Sequence, residues 1–205
     1  MKTSTLIAAG LSLVALAAFR PLTDYNSLEI GKTVPKDGVK MQDISGKQVS
    51  LSDAKRKNGL LVIFSCNTCP FVVKNESRLK AISLYALKSD FGVITVNSNE
   101  GQRDGDDSFD AMKKYQAEKE FGGYYVIDKN DEIANAFGAS HTPETYLFNK
   151  EGVLVYKGAI DDSPRDESSV KTHFLKDALD ATVQGHTVKT TSTKSVGCSI
   201  KRKDS

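Results

Sequence analysis

FSCNTCPF, residues 64–71, holds two of the three cysteines in a chain of 205 residues, separated by Asn67 and Thr68 and followed at once by Pro70. The pair closes the run LLVIFS (60–65), which is continuous, rich in branched residues and preceded by the turn-forming Asn58-Gly59. Such a run reads as a strand buried on both faces. From Cys69 onward the spacing of Val72, Leu79, Ile82 and Ala86 is helical, and Pro70 suits a first helical turn, where its missing N–H costs nothing. The two cysteines are therefore expected at a strand-to-helix junction.

The flanking segments extend the pattern. GVITVNS (92–98) reads as a second strand. An acidic loop, EGQRDGDD (100–107), follows it, and Asp107 or Ser108 caps a helix carrying Phe109, Met112 and Tyr115 or Gln116. The loop lacks the ligand order and terminal Glu of a calcium-binding hand and reads as a solvated cap. Tyr124–Ile127 is a short strand, and Ile133, Ala136 and Phe137 mark a short helix stopped by Gly138. TYLF (145–148) and VLVYKG (153–158), joined by Asn149-Lys150-Glu151-Gly152, read as an antiparallel hairpin. A last helix is expected over about 170–183, with Val170, Phe174, Ala178 and Ala181 on one face and Gly185 beyond its end. ISGKQVSL (44–51) suggests a small hairpin. Parallel strands with crossover helices, then a hairpin and a helix, predict an α/β fold with a central mixed β-sheet flanked by helices.

At this point the chain resembles a known group. A strand ending in Cys-x-x-Cys-Pro, with His141-Thr142-Pro143-Glu144-Thr145 before a hairpin, resembles the thioredoxin-like fold. The combination of GKQVSLSD, CNTCPF, TPETYLFNKEG, VYKGAIDD and SVGCSIKRK is similar to the peroxiredoxin-like branch of the AhpC/TSA and redoxin group. The resemblance implies a cis Thr142–Pro143 bond facing the cysteines, with the preceding backbone open to pair with a substrate segment.

The chemistry such a pair supports is thiol-disulfide exchange, which needs one accessible thiolate and a second thiol to resolve the mixed disulfide. A helix N-terminus favours the thiolate, so Cys66 is expected to attack and the more shielded Cys69 to resolve. Thr142 and Pro143 complete the expected site; Cys198, His141 and Glu144 are candidate auxiliary residues, and Glu76 and Glu144 are candidate proton carriers. The strand before Cys66 contains no acid. No cofactor and no resident metal is called for. The partners are disulfide-containing client proteins and a thiol electron donor. The sequence leaves open whether the pair works as reductant or oxidant. A thiol peroxidase is the alternative, although Ile63 and Cys66 stand where a peroxidatic Cys69 would need Pro and Thr. A copper(I) chaperone and a structural disulfide are further readings.

The N-terminus carries Lys2 and then LIAAGLSLVALAA (6–18), shorter than the roughly 20 apolar residues that span a bilayer. It reads as a signal peptide over 1–20 cleaved near Ala17, placing the protein outside the cytoplasm, periplasmic or extracellular, with an uncleaved anchor as the alternative. One domain over 21–185 and a basic, cysteine-containing tail over 186–205 complete the expected organisation. The formal charge of +2 divides between basic termini and a body of about −4, which gives no footprint for nucleic acid. By composition the tail reads as a solvated end. Val196 and Ile200, flanking Gly197-Cys198, suggest instead that it folds back and brings Cys198 to the pair.

Overall fold

The computed structural model describes residues 26–203; the expected signal peptide and its cut near Ala17 lie outside them. A seven-stranded sheet runs β2-β1-β5-β4-β3-β7-β8. Inside it lies β3 (Gly59–Phe64), the apolar run before the cysteines, with every residue buried. It pairs in parallel with β4 (Phe91–Asn97), which pairs in parallel with β5 (Tyr124–Ile127). On its other side it meets the hairpin of β7 (Glu144–Phe148) and β8 (Leu154–Gly158), all antiparallel. The small hairpin of β1 (Met41–Asp43) and β2 (Gln48–Val49) extends the far edge.

Side chains alternate across a strand, so β3 feeds two cores. Leu61 and Ile63 pack with Leu79, Ile82, Met112, Leu175 and Leu179; Leu60, Val62 and Phe64 pack with Leu51, Ile133 and Phe137. Fully burying each such aliphatic side chain contributes about 1.5–3 kcal/mol, which is why a sequence of unbroken apolar character settles inside the sheet. Helices α1 (Leu51–Ala54) and α5 (Glu132–Phe137) cover one face; α3 (Glu76–Lys88), α4 (Phe109–Lys119) and α6 (Phe174–Val183) cover the other. Ser108 caps α4 by accepting from the Ala111 N–H, and Gly138 ends α5 at φ +61°. Among the described residues no helix is long and apolar enough to cross a membrane.

Three expectations are corrected. The helix after Cys69 is two helices, α2 (Pro70–Lys74) and α3, broken at Asn75, whose side-chain N–H groups donate to the carbonyls of Phe71 (2.6 Å) and Pro164 (2.9 Å). Val72, Leu79, Ile82 and Ala86 are nonetheless all buried. The last helix begins at Phe174, not near 170, and buries Leu175, Ala178 and Leu179, while Phe174 and Ala181 are only partly covered.

The third correction is to the solvated-end reading of the tail, which is docked instead, as the fold-back reading from Val196 and Ile200 expected. Its backbone brackets Lys157 of β8 through Thr191 and Thr193, and Val188 and Ile200 enter the two cores. Beyond them the Lys201 carbonyl accepts from the Gly101 N–H at 2.8 Å, and Arg202 donates to the Asn135 side chain and the Ala139 carbonyl.

Candidate active site

Because β7 runs antiparallel to β3, its first residue Glu144 sits opposite Phe64, the last residue of β3. The segment before β7 must then lie beside the segment after β3, and this register brings residues 142–143 to the cysteines. The Thr142–Pro143 bond is cis, as the resemblance implied. Thr142 is buried and touches both sulfurs: its Oγ1 lies 3.4 Å from Cys66 Sγ, and its carbonyl accepts from the Cys69 thiol at 3.1 Å.

The expected division of labour between the cysteines rested on Cys66 standing at the helix start and Cys69 being shielded. The first premise does not hold, and both sulfurs are shielded. The helix starts at Pro70, so Cys69 is its N-cap, and Cys66 is 2% exposed against 4% for Cys69. The electrostatics follow this arrangement. The Cys66 thiol is pushed up, first by its hydrogen bond with Cys69, then by burial and the nearby Asp107 carboxylate. Cys69 is held well below the ordinary thiol range. Cys66 is the largest cause, burial opposes it, and the Cys198 thiol and the N–H groups of Val72 and Cys198 reinforce it. The sulfur makes no capping bond of ordinary geometry, yet these donors face it and outnumber the one opposing acceptor, the Thr142 carbonyl. The two sulfurs are coupled, Cys69 pushed down and Cys66 pushed up, while the Thr142 carbonyl beside Cys69 favours its protonated form and the Thr142 hydroxyl beside Cys66 can donate to that sulfur.

Cys198 is part of this cluster. Beyond Ser195, the tail forms β9 (Cys198–Ser199), which pairs antiparallel with β6 (His141–Thr142), placing Cys198 opposite Thr142 and Ser199 opposite His141. The Cys198 thiol is half-buried and is pushed up, first by burial and then by the neighbouring Cys69. The fold-back expected from Val196 and Ile200 is therefore present, with Ile200 buried at 3% and Val196 at the surface.

Other candidates fall elsewhere. The hydrogen bond of His141 Nδ1 is to Ser140 Oγ at 2.8 Å, not to a sulfur. Glu144 is buried and engaged: Oε2 accepts from the backbone N–H of Ser140 and His141, and Oε1 accepts from the Tyr146 hydroxyl. It fixes the loop of Pro143. Glu76 accepts from the Tyr115 hydroxyl at 3.1 Å and pairs with Lys119 at 2.7 Å. Among the described residues no group of three His, Cys, Asp or Glu side chains is arranged to hold a metal ion.

The sequence reading missed a positioning cluster beneath the pair. Asp107, in the supposedly solvated loop, is fully buried and accepts from the Asn67 backbone N–H (2.9 Å) and from the side chains of Asn97 (2.8 Å) and Asn99 (2.8 Å). Tyr125 donates to the Asn67 side chain, which itself donates to the Asp106 carbonyl. The acid absent from β3 is supplied here from the loop after β4. The available signal was the polar Asn97-Ser98-Asn99 at the C-terminal end of a parallel strand, where sites of open α/β sheets form.

The fold is thioredoxin-like. The chain belongs to the Redoxin family, whose profile matches residues 29–173. It is 29% identical over 163 residues to the thiol-disulfide oxidoreductase ResA of Bacillus subtilis (strain 168), covering 75% of this chain and 84% of that protein. An uncharacterized conserved protein from Geobacillus kaustophilus superposes with a TM-score of 0.81 at 32% identity over 88% of this chain and 95% of its own. A hypothetical protein from Sinorhizobium meliloti 1021 follows at TM-score 0.79 and 31% identity, over 86% and 96%.

Proposed function

We propose that this Redoxin-family chain is an exported thiol-disulfide oxidoreductase whose Cys66/Cys69 pair reduces or rearranges disulfides in client proteins. The observation that carries the reading is the meeting of both sulfurs at Thr142, one step before the cis Pro143. The name carried by the curated ResA relatives supports it. Export rests on the signal-like run at 6–18.

We assign the attack to Cys69, the sulfur at the helix N-cap. The Cys69 thiolate attacks one client sulfur, forming a mixed disulfide and releasing the other client sulfur as a thiolate. Cys66 then gives up its proton to that leaving thiolate and attacks Cys69 Sγ. The Cys66–Cys69 bond forms, the mixed disulfide breaks, and the second client sulfur departs. Two electrons pass from the pair to the client, and a thiol donor returns them. The Thr142 hydroxyl, 3.4 Å from Cys66 Sγ, is placed to stabilise Cys66 as it ionises. Asp107 holds Asn67, and with it the turn between the cysteines, in place.

The test is catalysis by the purified protein of dithiol-driven insulin reduction, compared with hydrogen peroxide turnover under the same reductant. Faster insulin reduction is expected; peroxide turnover that greatly exceeds it would assign the chain to the peroxidases.

A further inference from the structure

Three cysteines, not two, meet at this site, and they differ in exposure. Cys66 and Cys69 are sealed at 2% and 4%, while Cys198 is half-buried. A buried disulfide is formed only when something reaches it, and it must be reached again to be reduced, since exchange proceeds by attack of a thiolate on an accessible sulfur. The tail stands in the way of that second approach. β9 occupies the edge of β6 by antiparallel pairing, the position at which an extended segment from outside would pair. Ile200 buried in the core, and the bonds of Lys201 and Arg202 to Asn99, Gly101, Asn135 and Ala139, hold it there.

The fit at the crossing is close. A Cβ on Gly197 would lie 2.2 Å from the Thr142 carbonyl oxygen, so glycine is what lets the tail lie flat against the loop of Pro143. The next residue is Cys198, opposite Thr142, whose carbonyl is 3.1 Å from Cys69 Sγ. The tail thus presents a thiol to Cys69 as a tethered substrate would.

We propose that Cys198 is the relay thiol of this site: once Cys66 and Cys69 are joined, Cys198 attacks Cys69, and the oxidation moves from the buried pair to a Cys69–Cys198 disulfide that an external thiol can reach. The proposal rests on the thiol-disulfide function given above.

The step balances without an outside oxidant. Cys198 loses its proton to solvent and its thiolate attacks Cys69 Sγ. The Cys69–Cys198 bond forms, the Cys66–Cys69 bond breaks, and Cys66 leaves as a thiolate that takes up a proton. The disulfide count is unchanged. An external dithiol then attacks the Cys198 sulfur, releasing Cys69 as thiolate, and its second thiol frees Cys198.

The charges around Cys198 change with the state of the pair. In the reduced site the Cys198 thiol is pushed up, first by burial and then by its bond to Cys69 and the Cys69 charge, so it is a poor nucleophile. Oxidation of the pair removes that charge and that acceptor. What then acts on Cys198, besides burial, is the Phe71 N–H and the Lys201 ammonium, which both favour its thiolate. Oxidation of the pair thus removes two of the causes that push the Cys198 thiol up, while burial remains.

The experiment oxidises the full chain with one equivalent of oxidised glutathione, quenches with acid, alkylates free thiols and maps the disulfides by mass spectrometry. Two isomers are expected in the wild type, Cys66–Cys69 and Cys69–Cys198. Cys198→Ser should hold only the first, and its re-reduction by glutathione should slow by about tenfold or more. Absence of the Cys69–Cys198 linkage from both the wild type and Cys66→Ser overturns the proposal, and so does re-reduction of Cys198→Ser at the wild-type rate. The map needs no client to be known. Failure of the pre-reduced wild type to reduce insulin in a single turnover would count instead against the function on which the proposal rests.

Discussion

Cys198 stands directly opposite Thr142 in the pairing of β9 with β6, so the last strand of the chain closes over the residue that touches both other sulfurs. The closure depends on Gly197, which has no Cβ to meet the Thr142 carbonyl. Gly197→Val should therefore lift the tail, with a loss of about 1–3 kcal/mol in denaturant unfolding, the usual result of forcing extra atoms into a packed contact. Cys69 should alkylate faster in the same variant. A variant with wild-type stability and wild-type alkylation would show that the tail is not seated on this loop.

The coupling of the two sulfurs has a pH signature. A thiolate held below the ordinary thiol value of 9.0 stays ionised as the pH falls through 9, so alkylation of Cys69 should remain on its plateau at neutral pH and fall only in acid. Cys66 is the largest cause of the lowering. Its removal in Cys66→Ala takes away a donor to the thiolate, and the inflection should move to higher pH. Thiolate absorbance titrated in both proteins reads this directly; an unchanged inflection would break the coupling between the two sulfurs.

Trapping separates the roles of the cysteines. Cys66→Ser leaves Cys69 to attack with nothing to resolve the product, so mixed disulfides with insulin should accumulate through Cys69. Cys69→Ser should form few. Non-reducing electrophoresis followed by peptide mapping distinguishes this from the reverse pattern, which would return the attack to Cys66.

Asp107 should prove more important than its place in a polar loop suggests. Asp107→Ala strands the buried Asn67 N–H and takes one of two partners from each of the Asn97 and Asn99 amides, an unsatisfied buried group costing about 1–3 kcal/mol. A loss of at least about 2 kcal/mol is expected in denaturant titration, with weakened protection from hydrogen exchange at Asn67. A neutral substitution would show that the turn between the cysteines holds its shape without this carboxylate.

What the sequence made legible and what it concealed have one physical cause. The unbroken run of β3, the alternation of β8 and the cap at Ser108 are written in neighbouring residues, and each stands where its pattern puts it. The break at Asn75 is set partly by the Pro164 carbonyl, 89 residues away, so no local pattern announces it. Asp107 looks solvated in EGQRDGDD because its partners arrive from β4 and from the cysteine turn. The tail has no periodicity because it adds only two residues of strand and is held by single contacts of Val188, Ile200 and Arg202 with distant elements. The cysteines themselves were legible as a pair. Their relative burial was not, since it depends on the loop of Pro143 and on Cys198.

The central claim is that Cys66 and Cys69 exchange two electrons with a protein disulfide. Its most direct test is a single turnover: the fully reduced chain is mixed with insulin, or with an equal concentration of hydrogen peroxide, and quenched over time, and its free thiols are counted by mass. The account predicts that insulin removes two thiols from the chain, both from the set Cys66, Cys69 and Cys198 with Cys69 always included, and does so faster than peroxide. Retention of all three thiols in the presence of insulin, or oxidation that leaves Cys69 free, would contradict it.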